Sequence, residues 1–345
     1  MRSTTRQRLA AAVSLPLAIG LLTACAGGGG GAGEGEGGGG GAQSLSFANS
    51  YAEDHPHNRC GAALVQEAVA DDDIEMELFP SSQLGGDTDR FTSVMSGDIA
   101  LDLQGSSGLA ATYEPIGVMD MAYAFDDVDH LFSWFDGSEA AQQMKDDFEA
   151  ETGARILDVW YYGDRTFSAN SPIRTPDDLD NLRIRFPDSP VHLQNAEALG
   201  AEPVAVAFEE IYLALQQGTV DGQENPVTLT AQNSFDEVQD YVSLNRHSVG
   251  SQLVVMNADA WSGLSEDQQT ALTEAVRDAR ADNLECAQQA EQDVLDEWEA
   301  AGTPEVVQDV DVEAFRSRAQ DFFLNNLEGQ QLELYQDIRD AAGQN

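Results

Sequence analysis

The stretch Phe208-Glu209-Glu210-Ile211-Tyr212-Leu213-Ala214-Leu215-Gln216-Gln217-Gly218, followed by Val220-Asp221-Gly222-Gln223-Glu224-Asn225-Pro226, decides how the chain is read. In its first part Phe208, Ile211, Tyr212 and Leu215 fall at i, i+3, i+4 and i+7, one apolar stripe that predicts a helix from Phe208 to Gln217. Working back, Pro203–Ala205 reads as a strand, Val191–Leu199 as a helix and Arg183–Phe186 as a strand. The first half repeats the theme, with a strand at Leu45–Asn49, a helix at Asn58–Ala70 and a strand at Ile74–Phe79. In that strand Ile74, Met76 and Leu78 alternate with Glu75 and Glu77, which predicts one buried and one exposed face. A turn at Gly85-Gly86-Asp87 leads into a helix that ends near Gly97, then a strand at Ile99–Leu103. Helices at Val128–Phe135 and Ser138–Thr152 and a strand at Ala154–Tyr161 complete this half. Strand–helix alternation in both halves predicts an α/β protein of two domains.

A long helix should follow from Ser265 to about Ala300. Ser265 and Gln268 form a capping-box pattern at its start, and Gly302-Thr303-Pro304 stops it. At 1.5 Å per residue it would span roughly 54 Å, more than one small domain, so it bridges both domains or bends. The expected division is 45–162 plus 251–290 for the first domain and 163–250 plus 291–340 for the second.

Charge narrows the class. Against 17 lysines and arginines stand 61 acids, a formal net charge of −44, and Lys145 is the sole lysine. Neutralising phosphates needs a positive surface, so nucleic acid is excluded as a partner. High external salt would blunt the self-repulsion of such a surface, and the composition is read as halophilic adaptation. Hydrophobic content of 42% is enough for a folded body, and the residues beyond the N-terminal region suffice for two domains.

The N-terminal region reads as an export signal. Arg2, Arg6 and Arg8 precede an apolar run from Leu9 to Leu22 that is too short to span a bilayer. Leu22-Thr23-Ala24-Cys25 puts a small residue before a cysteine, so residues 1–24 are expected to be a lipoprotein signal peptide and Cys25 the lipidated first residue. Acyl chains contribute about 0.8 kcal/mol per buried CH₂, and several hold a protein on a membrane durably. Residues 25–43 hold the lipidated Cys25 and a glycine-rich run from Ala26 to Ala42, read as a flexible tether of about 20–25 Å typical span. The expected location is the outer face of the cytoplasmic membrane, with the lipid as the only membrane contact. Cys60 and Cys286 remain, an even pair suited to a disulfide in an oxidising compartment, although spacing alone does not bring them within reach.

No GxSxG, HExxH, CxxC, P-loop or GxGxxG pattern is present in a catalytic context, so no catalytic residue, metal or cofactor is expected. The segment Asp54-His55-Pro56-His57 is read as a solvated loop rather than a metal site.

Further blocks surround the opening stretch. Arg174-Thr175-Pro176-Asp177-Asp178-Leu179 leads into Leu182-Arg183-Ile184-Arg185-Phe186-Pro187, then Ala198-Leu199-Gly200-Ala201-Glu202-Pro203. Earlier stands Gln83-Leu84-Gly85-Gly86-Asp87-Thr88-Asp89. Together they resemble the binding proteins of tripartite ATP-independent periplasmic (TRAP) transporters, the DctP-type family, from about Leu45 to the C-terminus. Departures are small: Arg183 stands where lysine is usual, and Asn181 where glycine is common.

The resemblance implies a periplasmic-binding-protein-like clamp of two domains, crossed by hinge strands and braced by the long helix. It implies a small organic carboxylate as ligand (a dicarboxylate, 2-oxo acid, sugar acid or ectoine-like solute), delivery to TRAP membrane subunits, and a monomer. Arg185 is then the main carboxylate contact, since a guanidinium offers two parallel N–H donors and keeps its charge when desolvated. Arg183, on the same face of the strand, falls outside the site. Arg165 is the expected second arginine, with a surface ion pair to Asp164 as the alternative. Asn225 would donate its amide to the same carboxylate. Phe208 would form an apolar wall, although its place on the helix stripe equally suits core packing. In the loop Gln104–Ser107, Gln104 or Ser106 would reach the ligand; some relatives carry an acid there, and Gly105 offers none. The competing readings are an ABC-type solute-binding lipoprotein, a ligand-presenting sensor component and an exported hydrolase.

Overall fold

The computed structural model describes residues 42–342. The expected signal peptide, Cys25 and nearly all of the glycine tether lie outside them.

Five strands of the second half and four of the first join in one nine-stranded sheet. In chain order these are β1 (Gln43–Ala48), β2 (Ile74–Phe79), β3 (Leu101–Gly105), β4 (Ala154–Ala169), β5 (Arg183–Phe186), β6 (Glu202–Ala205), β7 (Gly222–Pro226), β8 (Tyr241–Asn257) and β9 (Glu305–Val307). Their spatial order is β2-β1-β3-β8-β4-β7-β5-β6, with β9 beside β8. The alternation in β2 does what it predicts: Ile74 and Met76 are buried, Glu75 and Glu77 exposed. Parallel pairing of β1 with β2 and β3, and of β5 with β6 and β7, gives each half its own α/β assembly.

The two assemblies share a ribbon. β4 and β8 run antiparallel from Ala154 opposite Asn257 to Ala169 opposite Tyr241, with register shifts at Ile156/Asp158, Tyr161/Gly163 and Arg165/Phe167. β3 joins the Gln252–Met256 end of β8, and β7 joins the Arg165–Ala169 end of β4. The strand expected to stop at Tyr161 therefore continues to Ala169. Gly163 looks like a strand end in sequence, but its φ of +118° lets the ladder pass through an irregularity instead of ending.

The long helix spans Glu266–Ala301. Ser265 Oγ accepts from the Gln268 N–H at 3.3 Å, Gln268 Oε1 accepts from the Ser265 N–H at 3.1 Å, and Gly302 closes the helix at φ +72°. Its early turns meet the first half, where Trp160 Nε1 donates to the Val276 carbonyl. Its last turns meet the second half, where Trp298 Nε1 donates to Asp236. Cys60 and Cys286 are disulfide-bonded, Cα atoms 6.4 Å apart, tying the helix to the segment that starts at Asn58. Gly61 is required there, because a Cβ would strike the Trp160 ring. Trp160 and Phe47 are fully buried beneath the helix, and each such side chain contributes roughly 1.5–3 kcal/mol on leaving water.

The helix predicted over Phe208–Gln217 divides. Phe208–Glu210 form one short 3₁₀ turn, and the α-helix proper is Ile211–Gln216. Ile211 and Leu215 are buried as the stripe requires, whereas Phe208 is 39% exposed. Of the final helices, Val312–Asn326 packs on the helix Pro190–Leu199, and Gly329–Ala341 returns to the first half, where Trp134 Nε1 donates to Asp337 and Arg339 donates to the Ala124 carbonyl. No helix among the described residues is long and apolar enough to cross a membrane.

Candidate functional site: a polar cleft with one unpaired arginine

β7 packs between β4 and β5 because it begins with glycine: a Cβ on Gly222 would run into the Ser168 carbonyl. This close approach buries Gln223, Glu224 and Asn225 in succession. Buried polar groups must find partners. Glu224 finds Arg165, whose Nε and Nη2 donate to its two carboxylate oxygens at 2.5 and 2.7 Å. The remaining Nη1 donates to the Tyr162 hydroxyl at 2.7 Å. Asn245 Nδ2 lies 3.0 Å from His247 Nδ1, which leaves the proton on Nε2 to be donated to Glu224 at 3.1 Å. Burial works to raise the Glu224 carboxyl, but the Arg165 guanidinium and the His247 N–H outweigh it and hold it well below the usual carboxylate range. Arg165 is thus a locked group, and the surface pair with Asp164 is not formed: Asp164 takes Arg246 at 3.1 Å.

Arg185 is different. Three arginines are buried among the described residues. Arg90 has Asp102 at 3.0 Å and Arg165 has Glu224, but Arg185 has no carboxylate. Its Nε donates to the Val206 carbonyl at 3.0 Å, leaving both Nη groups without a protein acceptor. Burial pushes its pKa down to about 10, so it remains charged at neutral pH at a cost to the folded state. Arg183, two residues earlier, pairs with Asp221 at 2.8 Å on the surface, outside the site.

Arg185, Arg165, Asn225 and Phe208 line one cleft of about 490 Å³ together with Gln104 and Tyr51 from the first half. Asn225 Nδ2 donates one hydrogen to Gln223 Oε1, and its Oδ1 accepts from Arg165. The second Nδ2 hydrogen remains for a ligand. Phe208 meets Phe235 edge-on, centroids 6.1 Å apart, and is 39% exposed where it lines the cleft. Across the cleft, Gln104 Nε2 donates to Asp102 and to the Asp87 carbonyl.

Ser106 is not brought to the cleft. Its hydroxyl is buried without a partner, and Ser107 lines the cavity instead, because a helical turn begins at Ser106 and turns its side chain inward. His55 and His57 are not solvated: both are buried, and their rings pack at 4.4 and 4.5 Å against Tyr51, backing the cleft. Among the described residues no group of three or more His, Cys, Asp or Glu is placed to hold a metal.

Sequence reasoning passed over Glu224, His247, Tyr162, Asp120 and His192. For Glu224 a signal existed, since a Gln-Glu-Asn run inside a strand next to a glycine implies buried polar groups in need of a cation. The others reach the site from distant elements and carry no local signature.

A rigid polar floor, a locked ion pair and one unpaired guanidinium suit reversible capture of an anion, and the comparisons with known proteins agree. The profile of DctP, described as bacterial extracellular solute-binding protein, family 7, matches residues 61–328. The 2,3-diketo-L-gulonate-binding periplasmic protein YiaO of Escherichia coli is 31% identical over 253 residues, 73% of this chain and 76% of its own. The C4-dicarboxylate-binding periplasmic protein DctP of Rhodobacter capsulatus is 31% identical over 269 residues, 76% of this chain and 79% of its own. A TRAP periplasmic solute-binding protein from Roseobacter denitrificans, solved with bound L-galactonate, superposes with a TM-score of 0.76 at 26% identity, covering 87% of this chain and 99% of that one. The chain therefore belongs to the DctP family, family 7 of the bacterial extracellular solute-binding proteins.

Proposed function

We propose that this protein captures a small organic carboxylate in the cleft between its two halves and delivers it to the membrane subunits of a TRAP transporter. The observation that carries the reading is Arg185, a buried cation that the protein itself leaves without a counter-charge. A carboxylate entering the cleft accepts from both Nη groups, offsets the burial cost of the charge and receives the second Asn225 hydrogen. Arg165, neutralised by Glu224, adds directed N–H dipoles without adding net charge. Phe208 covers the apolar side of the ligand.

Release and capture follow from differential affinity. A ligand that touches both halves favours the closed arrangement by the free energy of the contacts made only there. Residues 45–162 plus 251–290 and 163–250 plus 291–340 act as the two lobes, with the last helix, Gly329–Ala341, reaching back over the first, and the irregular β4–β8 ribbon is where they flex. Cys25 carries the lipid that holds the protein outside the membrane, and the acidic surface keeps it soluble in a salty exterior.

A thermal-shift panel of organic acids on the purified chain tests the reading. A ligand at 100 times its Kd stabilises the chain by about 2.7 kcal/mol, and Arg185→Ala abolishes that shift. A shift of the same size in wild type and Arg185→Ala would sink the carboxylate assignment. Replacement of Cys25 by serine should release the protein from the membrane fraction; retention there would refute the anchor.

A further inference from the structure

Arg185 has a counterpart of opposite sign. Five carboxylates are buried among the described residues: Asp102, Asp120, Asp158, Glu224 and Glu291. Four have arginine partners, Arg90, Arg280, Arg165 and Arg246 respectively. Asp120, 6% exposed and lining the same cleft, has none. It accepts the Ser107 N–H at 2.8 Å and, distantly, the Ser251 hydroxyl at 3.5 Å. Two carboxylate oxygens offer about four acceptor sites, so acceptor capacity remains. The acid that the Gln104–Ser107 loop lacks in sequence is therefore supplied from elsewhere in the chain, against that loop's backbone.

His192 is a second, independent group of the same kind. It lies on the helix Pro190–Leu199, lines the cleft, is 4% exposed, and its Nδ1 is buried with no partner. Burial, and then the charge of Arg165, push its pKa down to about 4, so the ring is neutral and supplies one donor and one acceptor.

The other charged groups facing the cleft are unevenly divided. Its cations are Arg165 and Arg185, and the charge of Arg165 is already balanced by Glu224, with one Nη1 hydrogen left after the bond to Tyr162. Its carboxylates are Asp87, Asp120 and Glu209. One carboxylate of a ligand can be satisfied by Arg185. A second would be desolvated without a cation and set near fixed negative charge, an arrangement that rejects rather than binds.

We propose that the ligand is a monocarboxylate bearing hydrogen-bond donors, hydroxyls or a protonated nitrogen, away from its carboxylate, and that Asp120 and His192 receive them while dicarboxylates are excluded. This rests on the reading of Arg185 as the carboxylate contact.

Calorimetric titration of the chain with L-galactonate, ectoine and succinate tests it. The first carries hydroxyls, the second a protonated nitrogen, the third a second carboxylate. Either L-galactonate or ectoine should bind at least about 100-fold more tightly than succinate, and which one does identifies the donor. Asp120→Asn keeps an oxygen for the Ser107 N–H, so the loop is retained. It should weaken the preferred probe on the order of tenfold and leave succinate unchanged or improved. His192→Phe should likewise narrow the preference. Succinate binding as tightly as the better of the other two overturns the proposal, as does an equal loss for all three probes in Asp120→Asn. In either case, if Arg185→Ala still abolishes binding, the carboxylate reading survives; if Arg185→Ala changes nothing, that reading fails as well.

Discussion

Each half of the sheet buries an arginine against a carboxylate, and the two halves use the arrangement differently. In the first half Arg90 is spent on its own surroundings: Nε on Asp102, Nη1 on the Gly85 carbonyl, Nη2 on Asp87. It pins the Gly85-Gly86-Asp87 turn under the cleft. In the second half Arg165 is spent in the same way on Glu224 and Tyr162, but a further arginine, Arg185, stands beside it unmatched. The lesson is that buried charge by itself marks no site. A satisfied pair is scaffolding; the group whose partner is missing is where a ligand belongs.

The comparison can be broken at either kind of group. The largest effect should come from Glu224→Gln, which leaves Arg165 buried and uncompensated. Urea unfolding should show a loss of about 3–5 kcal/mol. A loss below about 1 kcal/mol would mean that the pair does not hold the second half together. Next, Cys60→Ser with Cys286→Ser should cost about 2–5 kcal/mol by the same measurement, because the link closes a loop of 226 residues. Arg185→Met should go the other way. With no ligand present, removing an unpaired buried charge should stabilise the chain by about 1–3 kcal/mol while ligand-induced stabilisation disappears. A destabilised Arg185→Met would show that an unseen partner already satisfies this arginine.

Acid sharpens the contrast by a smaller amount. Because the Glu224 carboxyl is held below its ordinary value of 4.5, its contribution is present above that pH and is lost as the pH falls through the folded value. Melting temperatures should therefore drop more steeply from pH 5 to pH 3 in wild type than in Glu224→Gln. Parallel curves would place the acid-sensitive group elsewhere. Smallest of all, Arg183→Ala should leave ligand affinity unchanged, since its pair with Asp221 lies on the surface.

Much of the architecture is legible in the sequence. Alternation in Ile74–Phe79 and the Ser265–Gln268 box depend on near neighbours, and both appear as read. The full length of β4 is not legible, because Gly163-Asp164-Arg165 has the composition of a loop. Only the distant Glu224 and Arg246 make its charges tolerable inside a sheet. The site divides in the same way. Strand alternation treats Arg183 and Arg185 alike, and family resemblance is what singles out Arg185. The physical separation comes from Asp221, which reaches the first arginine and not the second. Asp120 and His192 reach the cleft, and His247 reaches Glu224, from three separate segments, so no window of sequence contains them together.

The order of strands has a bearing on how the molecule is made. β8 is inserted between β3 and β4, more than a hundred residues after β3 has been synthesised, and the last helix closes over Trp134 and Ala124. An N-terminal fragment ending before Tyr241 would have β3 with an open edge and β4 without its main partner. The growing chain therefore cannot mature one half while the other is still being produced. It must be kept from premature association until β8 and the helix Gly329–Ala341 have been made, and then both halves consolidate together.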